Sequence, residues 1–336
     1  MAFLSEDISY SPERPVFAPI LANTMLSTVP GISGAGPSPE KTLFTPILDS
    51  ELIVNGRITS MPIRPDTPTG CPTPATITRA MMQLTGLTPF FINAGLAHPP
   101  TIPTFDFYGR GGGDPRREAA VPDAESLYLK GEQLGSLLSN LSDILVIGEC
   151  VPGGTTTALC VLRALGFPAR VSSSMIQNPH SQKEEIAELI TRRLRDEGIT
   201  EPLDIVSATG DPMMPVACGM IKGFSGDVVL AGGTQMLSVA AVAKGLGLHI
   251  PRVVTTVYVR DDPSANFPET ADAIGVTPIY VDPDFGELGH TGLARYCIGE
   301  VKEGMGAGGA MFLAATLGHS PSRIREAILQ TISAYS

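Results

Sequence analysis

Twice in this chain a β-branched apolar run stops at a pair of glycines and restarts as a helix: "DILVIGECVPGGTTTALCVLRALG" over residues 143–166 and "GDVVLAGGTQMLSVAAVAKGLG" over 226–247. Further β-branched runs follow at "PRVVTTVYVRDD" and "GVTPIYVDPD". The alternation predicts an α/β fold, a mostly parallel Rossmann-like sheet with helices on both faces.

The remaining segments are read around that frame. Helices are expected at 73–85 and 124–141, a strand at "LTPFFINAG", a short strand at "ARVSSSM", and an amphipathic helix with well-spaced charges at "SQKEEIAELITRRLRDEG". "PLDIVSATGDPMMPVACGMIKGF" continues the strand, turn, helix rhythm, and the chain closes on "EGMGAGGAMFLAATLG" and a helix at "SPSRIREAILQTISAY". Residues 96–123 make a connection far longer than the usual ~4–6 residues, a length found in binding loops and in disordered ones. Residues 1–70 are rich in proline, glycine, serine and threonine and read as an irregular entry lobe without a core of its own.

Composition narrows the function. A net charge of −11 over 336 residues argues against a nucleic-acid surface, which needs clustered lysine and arginine. A small phosphorylated ligand stays compatible, because helix N-termini and backbone amides supply a local positive field whatever the net charge. The five cysteines, Cys71, Cys150, Cys160, Cys218 and Cys297, are odd in number and form no CxxC pair, so neither a disulfide framework nor a zinc site is indicated and a reducing cytoplasm fits. No window is apolar over the ~20 residues of a membrane span, and the N-terminal stretch lacks the pattern of a secretory signal.

Two constellations carry candidate chemistry. Gly148 to Gly153 has the spacing of a phosphate loop, but Gly154 stands where the lysine would be. A triphosphate needs that lysine. A monophosphate needs only the amides of Gly153, Gly154 and Thr155 and the hydroxyls of Thr155 and Thr156. The turn at Gly232, Gly233 and Thr234 repeats the arrangement, either as a second nucleotide contact or as close helix packing. Near the C-terminus, Glu303 precedes a glycine run that opens a buried helix, where partial burial would raise its pKa toward that of a general base. The bland reading of Glu303 is a helix-capping carboxylate. His290 is a further candidate, although a lone histidine in a glycine-rich loop is more often a structural hydrogen-bonder. No histidine pair has ligand spacing, so no metal is expected.

At these residues the chain resembles the nicotinate-nucleotide:dimethylbenzimidazole phosphoribosyltransferases. "GECVPGGTTTAL", "ELGH" and "EGMGAGGA" stand in the order and rough spacing of that family's motifs. "PGISGAGPSPEKT", "INAGL" and "VKEGMGAGGA" are closer to its archaeal and cyanobacterial branch. The resemblance implies transfer of a phosphoribosyl group from nicotinate mononucleotide to an aromatic base, of dimethylbenzimidazole or adenine type, giving an α-ribazole-type phosphate for cobamide assembly. It implies Glu303 as general base and Glu149 as an accessory carboxylate, with Cys150, Val301 and Asn93 lining the acceptor pocket. It implies no cofactor, and a homodimer. It also implies a small helical lobe from the chain ends, residues 1–70 packing with 318–336, beside a catalytic domain over 71–317.

A pyridinium leaves as neutral pyridine, so the reaction requires neither Mg²⁺ nor a phosphate-loop lysine. Two departures from the family pattern stand out. Thr155 replaces an asparagine, and Lys302 sits beside Glu303, where its charge is expected to lower the carboxylate's pKa. Two other readings stay open: a Mg²⁺-dependent phosphoribosyl-pyrophosphate transferase, suggested by Asp261 and Asp262 after an apolar strand, and a non-catalytic nucleotide-binding homologue.

Overall fold

The computed structural model describes residues 2–8, 11–36 and 38–335. Met1, Ser9, Tyr10, Pro37 and Ser336, which fall in the two stretches assigned to the lobe, lie outside the described residues. Among the described residues seven strands form one sheet: β1 (Pro15–Ala22), β2 (Ile92–Gly95), β3 (Phe105–Asp106), β4 (Ile144–Cys150), β5 (Asp227–Ala231), β6 (Arg252–Thr256) and β7 (Ile279–Val281). Their order is β3-β2-β1-β4-β5-β6-β7, and every pairing is parallel. The order in which strands are added reverses between β1 and β4, the chain building outward to β3 on one side and to β7 on the other. That is the place where crevices open at strand carboxyl ends in such sheets.

Apart from the exposed two-residue edge strand β3, the strands are largely buried on both faces, and their residues alternate between two cores. Ala18, Ile20, Leu145 and Ile147 face one; Phe17, Leu21, Ile144 and Val146 face the other. On the first side lie α3 (Ala124–Leu138), α4 (Gly154–Ala164), α6 (Pro202–Thr209), α7 (Met213–Gly223), α8 (Thr234–Gly245) and α10 (Phe267–Ile274), with α5 (His180–Glu197) packed against α4. The second side carries α1 (Thr45–Asn55), α2 (Pro74–Thr85), α12 (Ala307–Thr316) and α13 (Pro321–Ser333). Two single-turn helices, α9 (Val257–Arg260) and α11 (Thr291–Ala294), follow β6 and β7. The parallel α/β expectation thus holds, with every strand parallel.

Three local expectations are corrected. The turn-rich first seventy residues supply β1, which lies inside the sheet between β2 and β4. Its prolines masked it: Pro15 and Pro19 donate no ladder bond and normally mark edge strands, yet the flanking residues are fully apolar and buried. "PLDIVSAT" is helix α6 rather than a strand, its proline fitting the first helical turn. "ARVSSSM" forms no strand; its serines bond instead to the Asp262 carboxylate, the Lys183 ammonium and the Glu303 main-chain carbonyl.

The chain-end helices share a core with the sheet. Leu52 and Ile53 of α1 and Ile324 and Ile328 of α13 belong to the same apolar cluster as Phe17 and Val146. We propose that these helices, seated on α2, are the lobe expected from the two ends. Among the described residues no helix is long and apolar enough to cross a membrane, and all five thiols are unpaired.

Candidate active site

The site is built where α12 meets the carboxyl end of β4. Gly306, in the left-handed region at φ 64°, lies against Gly148, whose Cα is 3.0 Å from where a Cβ would stand. A Cβ on Gly309 would stand 2.2 Å from that of Ala231. The glycine run therefore lets the helix N-terminus press onto β4 and β5 more closely than any side chain permits. Met305 N donates to Glu149 O at 2.9 Å, tying the two segments together.

Glu303 and Glu149 meet across this junction. Glu303 Oε1 accepts from the amides of Gly304 and Gly308, both at 3.1 Å, and Oε2 from Thr255 Oγ1 at 3.4 Å. Burial nevertheless pushes Glu303 up to about 7, against the lowering effect of those amides. Glu149 is 3% exposed and accepts from Val151 N at 3.1 Å. Burial raises it to about 8, and the negative charges of Glu303 and Asp211 push the same way. Glu149 is buried and Glu303 half-buried, and two carboxyls raised toward neutrality beside one another are groups equipped to hold or take a proton.

The lysine missing from the glycine turn is supplied in space. Lys183 of α5 is fully buried, and its Nζ donates to Thr155 Oγ1 at 2.7 Å and to Ser173 Oγ. Burial, with the neighbouring charge of Lys302, lowers its pKa to about 7. Lys302 Nζ pairs with Asp262 Oδ2 at 3.1 Å and donates to the carbonyls of Ser173 and Met175. Despite the burial that would raise it, Asp262 is held well below the ordinary carboxylate range by hydrogen bonds from Ser172, Ser264 and Asn178. Lys183 was missed because it is one charge among many on an amphipathic helix, and nothing in "SQKEEIAEL" distinguishes it from a solvated face. Lys302 does not lower Glu303 as expected, because its ammonium is committed to Asp262. The same pairing occupies Asp262, while Asp261 is engaged by Arg260.

The first glycine turn keeps fewer free donors than its sequence promises. Gly153 adopts φ 77° and packs on Ser27, and the Gly154 amide is given to Val151 O at 2.8 Å. Thr156 Oγ1 is buried without a partner, whereas Thr155 is half-buried beside Lys183. In the second turn, Gly232 adjoins Glu149: a Cβ there would stand 3.5 Å from Oε1. Gly233 and Thr234 open α8.

The acceptor candidates separate. Cys150 and Val301 are buried in one cluster at this junction. Asn93 lies within β2; its amide donates to Asp106 Oδ2 of β3 and accepts from Leu96 N in the loop that follows. His290 accepts from Leu293 N at 3.1 Å and caps α11. Asp49 of α1 was not foreseen. Its carboxyl accepts from Thr73 Oγ1 at 3.1 Å and lies 3.9 Å from Cys150 Sγ. Burial raises its pKa to about 7. In sequence it is one of two acids, with Glu51, in a proline-led helix.

Comparison with known proteins agrees with the fold. No family model matches the chain. The nicotinate-nucleotide-dimethylbenzimidazole phosphoribosyltransferase of Thermus thermophilus superimposes with a TM-score of 0.61 over 96% of this chain and 84% of that one, at 15% identity. A structure of CobT from the same organism gives 0.58 over 95% and 84%, at 17% identity. At that identity the likeness is one of fold. In sequence, the UPF0284 protein of Methanosarcina acetivorans is 41% identical over 98% of this chain and 97% of its own. That of Thermococcus gammatolerans is 43% identical over 93% and 96%. With identity of this order along nearly the whole of both chains, the protein belongs to the UPF0284 family.

Proposed function

We propose that the protein is a nicotinate-releasing phosphoribosyltransferase, acting on nicotinate mononucleotide and an aromatic nitrogen base and yielding an α-ribazole-type phosphate for cobamide assembly. The observation that carries this function is the joining, at one junction, of the segments that bear the buried Glu149 and the half-buried Glu303, close enough for the charge of one to raise the other, with Lys183 at the adjacent glycine turn. The likeness in fold to phosphoribosyltransferases supports it.

The chemistry follows from the residues. The phosphate sits at the N-terminus of α4, against Thr155 and the buried ammonium of Lys183, so that helix dipole and cation act together. In the ligand-free protein the paired carboxyls hold protons near neutrality. The pyridinium of the bound mononucleotide brings a positive charge that draws them toward their anionic forms. The bond between C1′ and the pyridinium nitrogen breaks, and its electron pair leaves with nicotinate. Positive charge growing on the ribose is met by Glu149. A ring nitrogen of the acceptor forms the new bond to C1′ from the opposite face, and its N–H proton passes to Glu303. No group outside the two substrates is required. The function carries with it a homodimer in the reducing cytoplasm, the former checked by light scattering.

The test is direct. Purified protein is incubated with nicotinate mononucleotide and a panel of bases, and released nicotinate is measured by chromatography, with and without EDTA. Release with at least one base, unaffected by EDTA, is expected. Binding of the nucleotide with no release from any base would make the protein a non-catalytic homologue.

A further inference from the structure

We infer that the buried pair of Lys302 and Asp262 positions the phosphate side of the site against Glu303, acting on the Lys183 ammonium through three consecutive serines. The inference rests on the function proposed above and adds a positioning pair to the same site.

Ser172, Ser173 and Ser174 give their hydroxyls to three different groups. Ser172 Oγ donates to Asp262 Oδ2 at 2.6 Å, Ser173 Oγ accepts from Lys183 Nζ, and Ser174 Oγ donates to Glu303 O at 3.3 Å. The segment belongs to neither a helix nor a strand, so no regular ladder fixes it. Lys302 gathers it instead. Its Nζ donates to the carbonyls of Ser173 and Met175 while pairing with Asp262 Oδ2, and its amide donates to Ser174 Oγ at 3.4 Å. Lys302 is itself anchored, its carbonyl accepting from Thr256 Oγ1 at the end of β6 at 2.7 Å. One residue therefore spans from the peptide before Glu303 to the serine that holds Lys183.

Both members of the pair are buried, and Asp262 also accepts from Asn178 and Ser264. A buried ion pair adds little stability over uncharged side chains of the same volume; here it fixes a segment that carries two contacts of the site. The charged and titratable groups that face Lys183 are Lys302, Asp262, Cys160 of α4 and His180 of its own helix. With Lys302 present, its charge works against protonation of Lys183, and Asp262 is engaged by the pair. Without Lys302, Asp262 is an uncompensated anion that strengthens the hold of Lys183 on its proton and draws the ammonium away from Thr155.

Equilibrium binding tests this apart from turnover. Ribose 5-phosphate, which carries the phosphate without the pyridinium, is titrated calorimetrically from pH 6.5 to pH 9 into the parent protein, into Lys302→Met, and into the double variant Lys302→Met, Asp262→Asn. The parent is expected to bind, with an affinity that falls as Lys183 gives up its proton. Lys302→Met should bind roughly tenfold more weakly at neutral pH, with the fall moved upward by about half a pH unit or more. The double variant leaves no buried charge alone. It should keep that weakening at a urea midpoint close to the parent's, while its fall returns toward the parent's pH. If Lys302→Met does not fold, the double variant decides alone. A double variant that binds like the parent, or whose weakening is matched by a lower urea midpoint, would overturn the inference. So would an unmoved pH profile in folded Lys302→Met, or no binding by the parent. Binding that follows the expected pattern with no nicotinate released from nicotinate mononucleotide would instead remove the proposed reaction and leave the positioning role standing.

Discussion

Two glycine-rich contacts in this molecule solve the same steric problem and serve different ends. In the first, α3 and α7 pack through Gly131 and Gly135 on one helix and Gly219 and Gly223 on the other. A Cβ on Gly219 would stand 2.0 Å from Tyr128 O, and one on Gly223 2.0 Å from Glu132 O. What each glycine meets there is mostly backbone. In the second, Gly306 and Gly309 bring α12 equally close to Gly148 and Ala231, but Gly308 meets the carboxylate of Glu303, which a Cβ would approach to 2.7 Å. The composition of a contact says how near two elements come. What faces the glycine decides whether nearness builds a scaffold or a site.

Substitutions can break that contrast, and the largest effect is expected at the carboxylate. Glu303→Gln keeps the shape and removes the proposed base, so turnover should fall by about 10²–10⁴-fold. Its melting midpoint should stay or rise, since a costly buried ionisable group is gone. Gly219→Ala is the opposite case. The clash with Tyr128 O costs up to about 3 kcal/mol, offset by ~1 kcal/mol of helix propensity, for a net loss of about 2 kcal/mol. Denaturant titration should show that loss while turnover of the folded fraction is unchanged. If turnover fell as well, the two contacts would not be independent.

Gly308→Ala is intermediate and sharper. Here the nearest atom is the end of a flexible side chain, with the Thr255 backbone behind it at 3.0 Å, so stability should fall by about 1 kcal/mol. The carboxylate, however, must leave the amides of Gly304 and Gly308, and turnover should fall by roughly tenfold because the base is displaced from its proton donor. A variant with full activity would show that those amides do not place Glu303.

The sequence carries these two regions unequally. "ILVIGEC" and "VVLAGG" announce β4 and β5 because buried parallel strands need unbroken apolar runs, and the glycines around the start of α12 mark a close helix contact with Glu303 beside it. Three other features were invisible for physical reasons. β1 hides behind Pro15 and Pro19, whose missing donors are tolerated inside the sheet. Lys183 hides because a buried lysine and a solvated one have the same spacing on a helix, and its partners Thr155 and Ser173 are distant in sequence. Asp49 hides because it comes to Cys150 only through the packing of α1 on α2. Local pattern reports what a segment must bury; the meeting of side chains from separate elements is decided by the sheet order. The α3–α7 glycines belong to this second kind, since each helix alone reads as an ordinary amphipathic segment.

Acidity gives the subtlest distinction. Glu149 and Glu303 titrate near about 8 and about 7 in the folded protein, both raised from the ordinary carboxylate value of 4.5. The folded state thus holds protons that the unfolded chain has already released. By linkage, the stability this confers is full below about pH 4.5 and is lost as pH rises through 7 and 8. Lys183, lowered from 10.5 to about 7, works in reverse: above neutrality the unfolded chain binds the extra proton, and stability recovers with pH. The two effects cancel only above about pH 7; below it Lys183 is charged in both states and the carboxyls alone set the slope. Because the carboxyls interact, they release protons in two shared steps. Urea midpoints measured from pH 5 to pH 8 should fall in the parent and fall less in Glu149→Gln. The curve for Gly219→Ala should run parallel to the parent's, because that contact is made by backbone atoms. Turnover should move the other way, rising through about pH 7 as Glu303 ionises. A parent whose stability and activity climb together over that range would mean that the carboxyls are not buried as a pair, and the contrast between the two glycine contacts would lose its chemical half.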